Sequence, residues 1–167
     1  MDNEDKVVKK NSLHNIFGLI TSLIMVALVA FTGSHFSPGA WYQELIKPSW
    51  TPPSWLFGPA WTILYILMAT AAWLVWRESK KIRIGPALSI YIIQLILNGL
   101  WSWIFFGLHE IGMALADLIA LLIAIIITCV LFWKIKHIAG ILILPYIGWV
   151  SFAGFLNYAI WMLNTKS

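Results

Sequence analysis

Apolar residues run along this chain in five long stretches, at about 13–32, 55–76, 84–107, 111–133 and 138–163, with short polar or charged breaks between them. Each is close to the ~20 residues an α-helix needs to cross the hydrocarbon of a bilayer. The pattern predicts an all-α integral membrane protein, a bundle of five transmembrane helices. It forms one domain over 13–167 behind an N-terminal tail of residues 1–12. The first stretch follows Lys6, Lys9 and Lys10, as the core of a signal peptide would. It is too long for that and lacks a small-x-small cleavage pattern, so it reads as a retained first helix. Only the break at 33–54 is long; the others are tight, so neighbouring helices are expected to run antiparallel in a compact bundle. An odd number of spans leaves no room for two equal inverted halves, the common plan of secondary carriers.

Composition agrees: 60% of the residues are hydrophobic and 11% charged, against roughly a quarter charged in soluble domains. The net charge of +4 is set by topology. Nine Lys and Arg flank one side of the spans, in the tail, at 77–83 and at 134–136, whereas Lys47 and Lys166 alone flank the other. The positive-inside rule then gives a cytoplasmic N-terminus and an external 33–54 loop. The basic residues orient the chain, and no nucleic-acid partner is expected. Cys129 is a lone cysteine inside the fourth span, so no disulfide framework exists.

The loop and the start of the second span carry unusual chemistry. Residues 47–65 hold Pro48, Pro52, Pro53 and Pro59 together with Trp50, Trp55 and Trp61. Each proline fixes φ, removes a donor and restricts the residue before it. The result is a stiff aromatic lid at the membrane surface, suited to something flat and apolar. Beneath it, intramembrane polar residues are costly and default to functional candidates. Asp117 lies about six residues, or roughly 9 Å, inside the external end of the fourth span. Asn157 lies at a similar depth in the fifth, and Asn98 and Ser102 in the outer half of the third. Gln94, Asn98, Trp101, Ser102 and Phe105 share one helical face, as do Trp149, Ala153 and Asn157. Interhelical hydrogen bonding explains any one of these amides, but their clustering under the lid favours a ligand pocket. The pattern leaves Asp117 open between a charged group facing water and a neutral donor.

A stripe of small residues, Gly112, Ala116, Ala120, Ala124 and Thr128, offers either an intramolecular seam or a dimer face, and Gly18 with Ser22 makes a weaker version. Of the eleven tryptophans, Trp73, Trp76, Trp133 and Trp161 fall near span ends, where the interfacial belt is expected. Trp50, Trp61, Trp101 and Trp149 are placed to stack on a planar ligand. His14, His35, His109 and His137 fall near span ends without metal-ligand spacing. No metal site and no set of catalytic residues is expected.

The motifs in order are Lys47-Pro48-Ser49-Trp50-Thr51-Pro52-Pro53 with Phe57, Trp61, Leu64 and Tyr65; Leu97-Asn98 with Trp101-Ser102 and Phe105-Phe106-Gly107; Ala114 and Asp117; then Pro145-Tyr146 with Trp149, Phe152-Ala153 and Leu156-Asn157. They resemble the TspO/MBR family of tryptophan-rich sensory proteins and mitochondrial translocator (peripheral benzodiazepine receptor) proteins, over nearly the whole chain after the tail. The resemblance implies a five-helix bundle, usually a homodimer, that binds porphyrins or drug-like aromatic molecules under the first loop. By position, Trp50 and Trp149 would line that pocket with Asn98, Ser102, Asp117 and Ala153; Tyr42, Pro48, Trp61, Tyr65, Trp101 and Asn157 complete the candidate set. Protoporphyrin IX or haem is the implied ligand, with no intrinsic cofactor, in a bacterial cell membrane. Some members promote light-dependent porphyrin breakdown, which here would fall to Trp50 and Trp149. The sterol pattern of animal members opens at Leu156-Asn157-Tyr158, but the next cation is Lys166, too distant, which argues against sterol binding. The leading reading is a tetrapyrrole-binding sensor or scavenger; the alternatives are light-dependent degradation and transport of porphyrins or other hydrophobic molecules.

Overall fold

A computed structural model describes residues 2–36 and 38–165, with side chains from residue 12 onward. Lys6, Lys9, Lys10 and Lys166, which enter the charge argument above, lie outside the described side chains. The elements are α1 (Asp2–His35), α2 (Ala40–Glu44), a 3-10 turn (Ser54–Leu56) opening α3 (Phe57–Trp76), α4 (Gly85–Ser102) continued by a π turn (Trp103–Gly107), α5 (Ile111–Ile135) and α6 (His137–Asn164). Five helices are long and apolar enough to cross a membrane, the five the hydrophobic pattern marks. No Pro or Gly interrupts the chain before Gly18, so α1 continues back through the stretch read as a tail.

The main packing pairs are α1 with α3, α3 with α6, α6 with α5, α5 with α4, and α4 with α1. They close a ring in the order α1, α3, α6, α5, α4. One expectation changes here: the consecutive spans α3 and α4 are not a main packing pair. The seven charged, polar and apolar residues between Arg77 and Arg83 let the chain cross to the far side of the ring. The two helices face each other at one end, joined by the Tyr65 hydroxyl donating to Asn98 Oδ1 at 3.1 Å.

Without a hydrophobic drive between helices in lipid, close backbone approach and interhelical hydrogen bonds hold such a bundle. The α1–α3 seam shows both. Gly18 lies directly under the Trp76 indole, where a Cβ would overlap the ring. Trp76 Nε1 donates to the His14 carbonyl at 3.1 Å and Trp73 Nε1 to the Asn15 carbonyl at 2.9 Å. These two tryptophans, expected in the interfacial belt, clamp the first helix. Ser22 is buried on the same seam and donates to the Gly18 carbonyl. The α5 stripe divides: Gly112 packs under Trp161, Ala124 and Thr128 are buried, and Ala116 and Ala120 face outward.

The two ends of the ring differ. Away from the long loop the interior is solid, with Met68, Ala71, Val75 and Phe132 fully buried and Tyr91 stacked on Phe132 at 5.5 Å. Arg77, Lys80, Lys81, Arg83, Lys134 and Lys136 all belong to this end, and Glu78 pairs with Lys81 at 3.2 Å. Toward the loop the ring opens into a chamber.

Candidate ligand-binding site

The chamber has a volume of about 840 Å³, inside the range of about 300–1,000 Å³ of small-molecule sites. The loop covers it. In the loop α2 is the one helical turn, and tertiary contacts set it down. Trp41 stacks on His109 at 4.2 Å and meets Phe105 edge-on at 5.7 Å. His109 takes a positive φ of 61°, which turns the chain from the π turn toward α5. Further on, Asn164 at the end of α6 bonds both backbone groups of Ile46, each at 3.0 Å. Thr51 closes a turn by bonding the Pro48 carbonyl with its amide and its hydroxyl. The lid is thus pinned at α2 and at Ile46, and Pro48, Pro52 and Pro53 stiffen the stretch that follows, up to α3.

The walls are aromatic. Trp61 stacks on Tyr65 at 5.4 Å, one helical turn along α3. Trp101 stacks on Phe105 at 5.2 Å across the start of the π turn. Tyr42 from the lid meets Phe105 and Phe106 edge-on at 6.1 and 5.5 Å. Trp149 packs between Phe57 and Phe152 at 5.8 and 5.9 Å. Edge-to-face and offset contacts at these distances brace each ring, and Trp61, Tyr65, Trp101, Phe105 and Trp149 all line the chamber. The π turn re-aims Phe105 and Phe106 relative to an unbroken helix; such turns concentrate at functional sites.

The deep part is polar and already organised. Asn98 accepts from Tyr65 and donates to the Tyr146 hydroxyl at 2.8 Å, linking α3, α4 and α6. Asn157 accepts from Trp101 Nε1 at 3.2 Å and donates to the Ile111 carbonyl at 2.9 Å, linking α4, α5 and α6. Both amides act as interhelical glue and also line the chamber. Each keeps one N–H and one lone pair beyond those bonds.

Nine of the twelve candidate residues line the chamber: Tyr42, Trp61, Tyr65, Asn98, Trp101, Ser102, Trp149, Ala153 and Asn157. Pro48, Trp50 and Asp117 are outside its lining. Trp50 is 50% exposed and meets Phe152 in a T-shaped contact at 5.9 Å. Pro48 serves the lid's turn through its carbonyl. Asp117 sits on α5 beside the chamber, where Leu118 and Leu121 present their side chains instead, and its Oδ2 is buried without a hydrogen-bond partner. Lining residues absent from the candidate set include Phe36, Gln43, Lys47, Phe57 and Phe106. Lys47, Phe57 and Phe106 stood in the quoted motifs; Phe36 and Gln43 belong to the stretch between the first two spans, which carries no transmembrane helical period. Among the described residues no cluster of His, Cys, Asp or Glu could hold a metal, and no histidine lines the chamber.

Five membrane-crossing helices closed in a ring around an aromatic chamber, roofed by the first loop, define a multi-pass membrane protein with an internal site. The sequence places it more narrowly. The TspO/MBR family pattern matches residues 19–162, and the chain belongs to that family. It is 43% identical over 142 residues to protein CrtK of Rhodobacter capsulatus, covering 84% of this chain and 89% of that protein. It is 43% identical over 153 residues to the tryptophan-rich protein TspO of Archaeoglobus fulgidus, covering 90% and 99%. It is 39% identical over 143 residues to the human translocator protein, covering 83% and 85%.

Proposed function

We propose that this chain is a membrane protein of the sensor or translocator type, as its relatives' names imply. More finely, it binds a tetrapyrrole as a sensor or scavenger. One observation carries the reading: a chamber of about 840 Å³ whose walls are braced indole and phenyl rings over a floor of two asparagines. A flat apolar macrocycle suits the ring faces, and its polar atoms suit the remaining donors of Asn98 and Asn157. Protoporphyrin IX is the better match of the two implied ligands. Haem would lie there without a protein axial ligand, because His35 and His109 stand outside the lining. Pro48, Trp50 and Asp117 have no direct part in this reading.

The solid packing beneath the chamber supports holding a ligand over conducting one. The bias of cations toward the opposite end supports an external loop and a cytoplasmic N-terminus in a cell membrane. The outward Ala116 and Ala120 on α5 support a homodimer contact. A second reading, light-dependent breakdown of the bound porphyrin, draws on Trp149, an indole that lines the chamber. Bleaching of the illuminated complex no faster than free porphyrin rejects it.

The test is a protoporphyrin IX titration of the full-length protein in detergent, followed by tryptophan quenching. The reading requires saturable quenching, and about tenfold weaker binding for Trp149→Ala, the effect of losing one stacked aromatic contact. Quenching that never saturates rejects it.

A further inference from the structure

Lys47 is the only charged side chain among the described residues lining the chamber. It stands on the lid. Its Nζ donates to the Gln43 carbonyl at 3.2 Å and the Leu45 carbonyl at 3.1 Å, and lies 4.7 Å from the centre of the Tyr42 ring. An ammonium has three N–H donors, so these two carbonyls leave one for an incoming acceptor. No Asp or Glu lines the chamber, and Lys47 has no carboxylate partner among the described residues. A half-buried ammonium bordering apolar walls, with no counter-charge of its own, attracts an anion. Gln43 and Thr51 line the same side. The chamber therefore has a cationic, hydrogen-bonding lid side, aromatic walls and an amide floor.

We infer that Lys47 makes this chamber selective for planar ligands that carry a carboxylate along one edge. The inference rests on the proposed tetrapyrrole reading and sharpens it. The carboxylate edge pairs with Lys47 at the lid and the macrocycle lies between the walls. A Lys47 that only held the end of α2 together would affect every ligand alike; one that pairs with the ligand discriminates by charge.

The test compares protoporphyrin IX with its uncharged dimethyl ester on the full-length protein, on Lys47→Met and on Lys47→Arg. Lys47→Met is expected to weaken the diacid about fivefold, the effect of one partly exposed charge pair, and to leave the ester within about twofold, where no charge pair is lost. Lys47→Arg keeps the diacid preference, and raising the ionic strength weakens only the diacid. Equal losses for diacid and ester in Lys47→Met, or no loss for either, overturn the inference while leaving the tetrapyrrole reading standing. If the unmodified protein binds neither ligand, that reading fails and the inference with it.

Discussion

Asn98 bonds side chains on both α3 and α6, and replacing it with leucine removes those bonds without changing the number of side-chain heavy atoms. Two interhelical hydrogen bonds disappear, to Tyr65 at 3.1 Å and Tyr146 at 2.8 Å. Bonds of this kind in membrane proteins contribute ~0.6 kcal/mol each. The larger cost is the orphaned Tyr146 hydroxyl, which accepts from Asn98 and whose residue is 1% exposed; a buried polar group left without a partner costs about 1–3 kcal/mol. Tyr65 borders the chamber and can find water there. Asn98→Leu should therefore lower unfolding free energy by about 2–4 kcal/mol, the sum of those terms. The assay is reversible denaturation in mixed detergent micelles, run as a double-mutant cycle with Tyr146→Phe. Deleting the orphaned hydroxyl should recover about 1–2 kcal/mol, so the double variant is less damaged than the single effects added together. Additivity within ~0.3 kcal/mol, with Asn98→Leu costing under ~0.5 kcal/mol, would refute the claim that this network ties α3, α4 and α6.

Other substitutions follow from the same geometry. Gly18→Leu collides with the Trp76 indole and should cost about 1–3 kcal/mol in the same denaturation assay, whereas Gly148→Ala, with nothing within 4 Å of the added methyl, should stabilise α6 by up to ~1 kcal/mol. Trp50→Ala should leave porphyrin affinity within about twofold, because no buried stacking contact is removed, while Trp149→Ala weakens it; the reverse order in a titration would move the site toward the lid's outer surface. Asn164→Ala frees Ile46 from both of its bonds. It should speed ligand release severalfold in stopped-flow displacement with little change in melting temperature, as expected for a lid that gates exchange.

The spans were legible because a run of apolar residues long enough to cross a bilayer has few other uses. The five-residue helix α2 was not: its position depends on Trp41 meeting His109 and Phe105, contacts between residues far apart in sequence. In the site, helical phase placed Asn98, Trp101, Ser102, Trp149, Ala153 and Asn157 on chamber-facing stripes. For Asp117 the reading rested on depth, and the residue lies beside the chamber, outside its lining, with Oδ2 buried. Counting residues from a helix end fixes the level, but one residue also turns the side chain by about 100°. At that level Leu118 and Leu121 face the chamber instead. Trp50 lies outside the lining; a proline-rich loop has no period, so nothing in the pattern says which way an indole points. Trp73 and Trp76 have the amphipathic character of belt residues, yet the small Gly18 opposite lets α1 come close enough for their N–H groups to reach its carbonyls.

The central claim, that a planar ligand occupies the chamber under the lid, is tested most directly by filling the space. Ala153 lines the chamber on α6, and Ala153→Trp would project an indole into it without deleting any bond of the Asn98 or Asn157 networks. Binding is read from the shift of the porphyrin absorbance band on titration, alongside a melting curve. The account predicts at least about tenfold weaker binding, the loss of more than one ring contact, with melting preserved. Unchanged porphyrin affinity in a folded Ala153→Trp protein would contradict it.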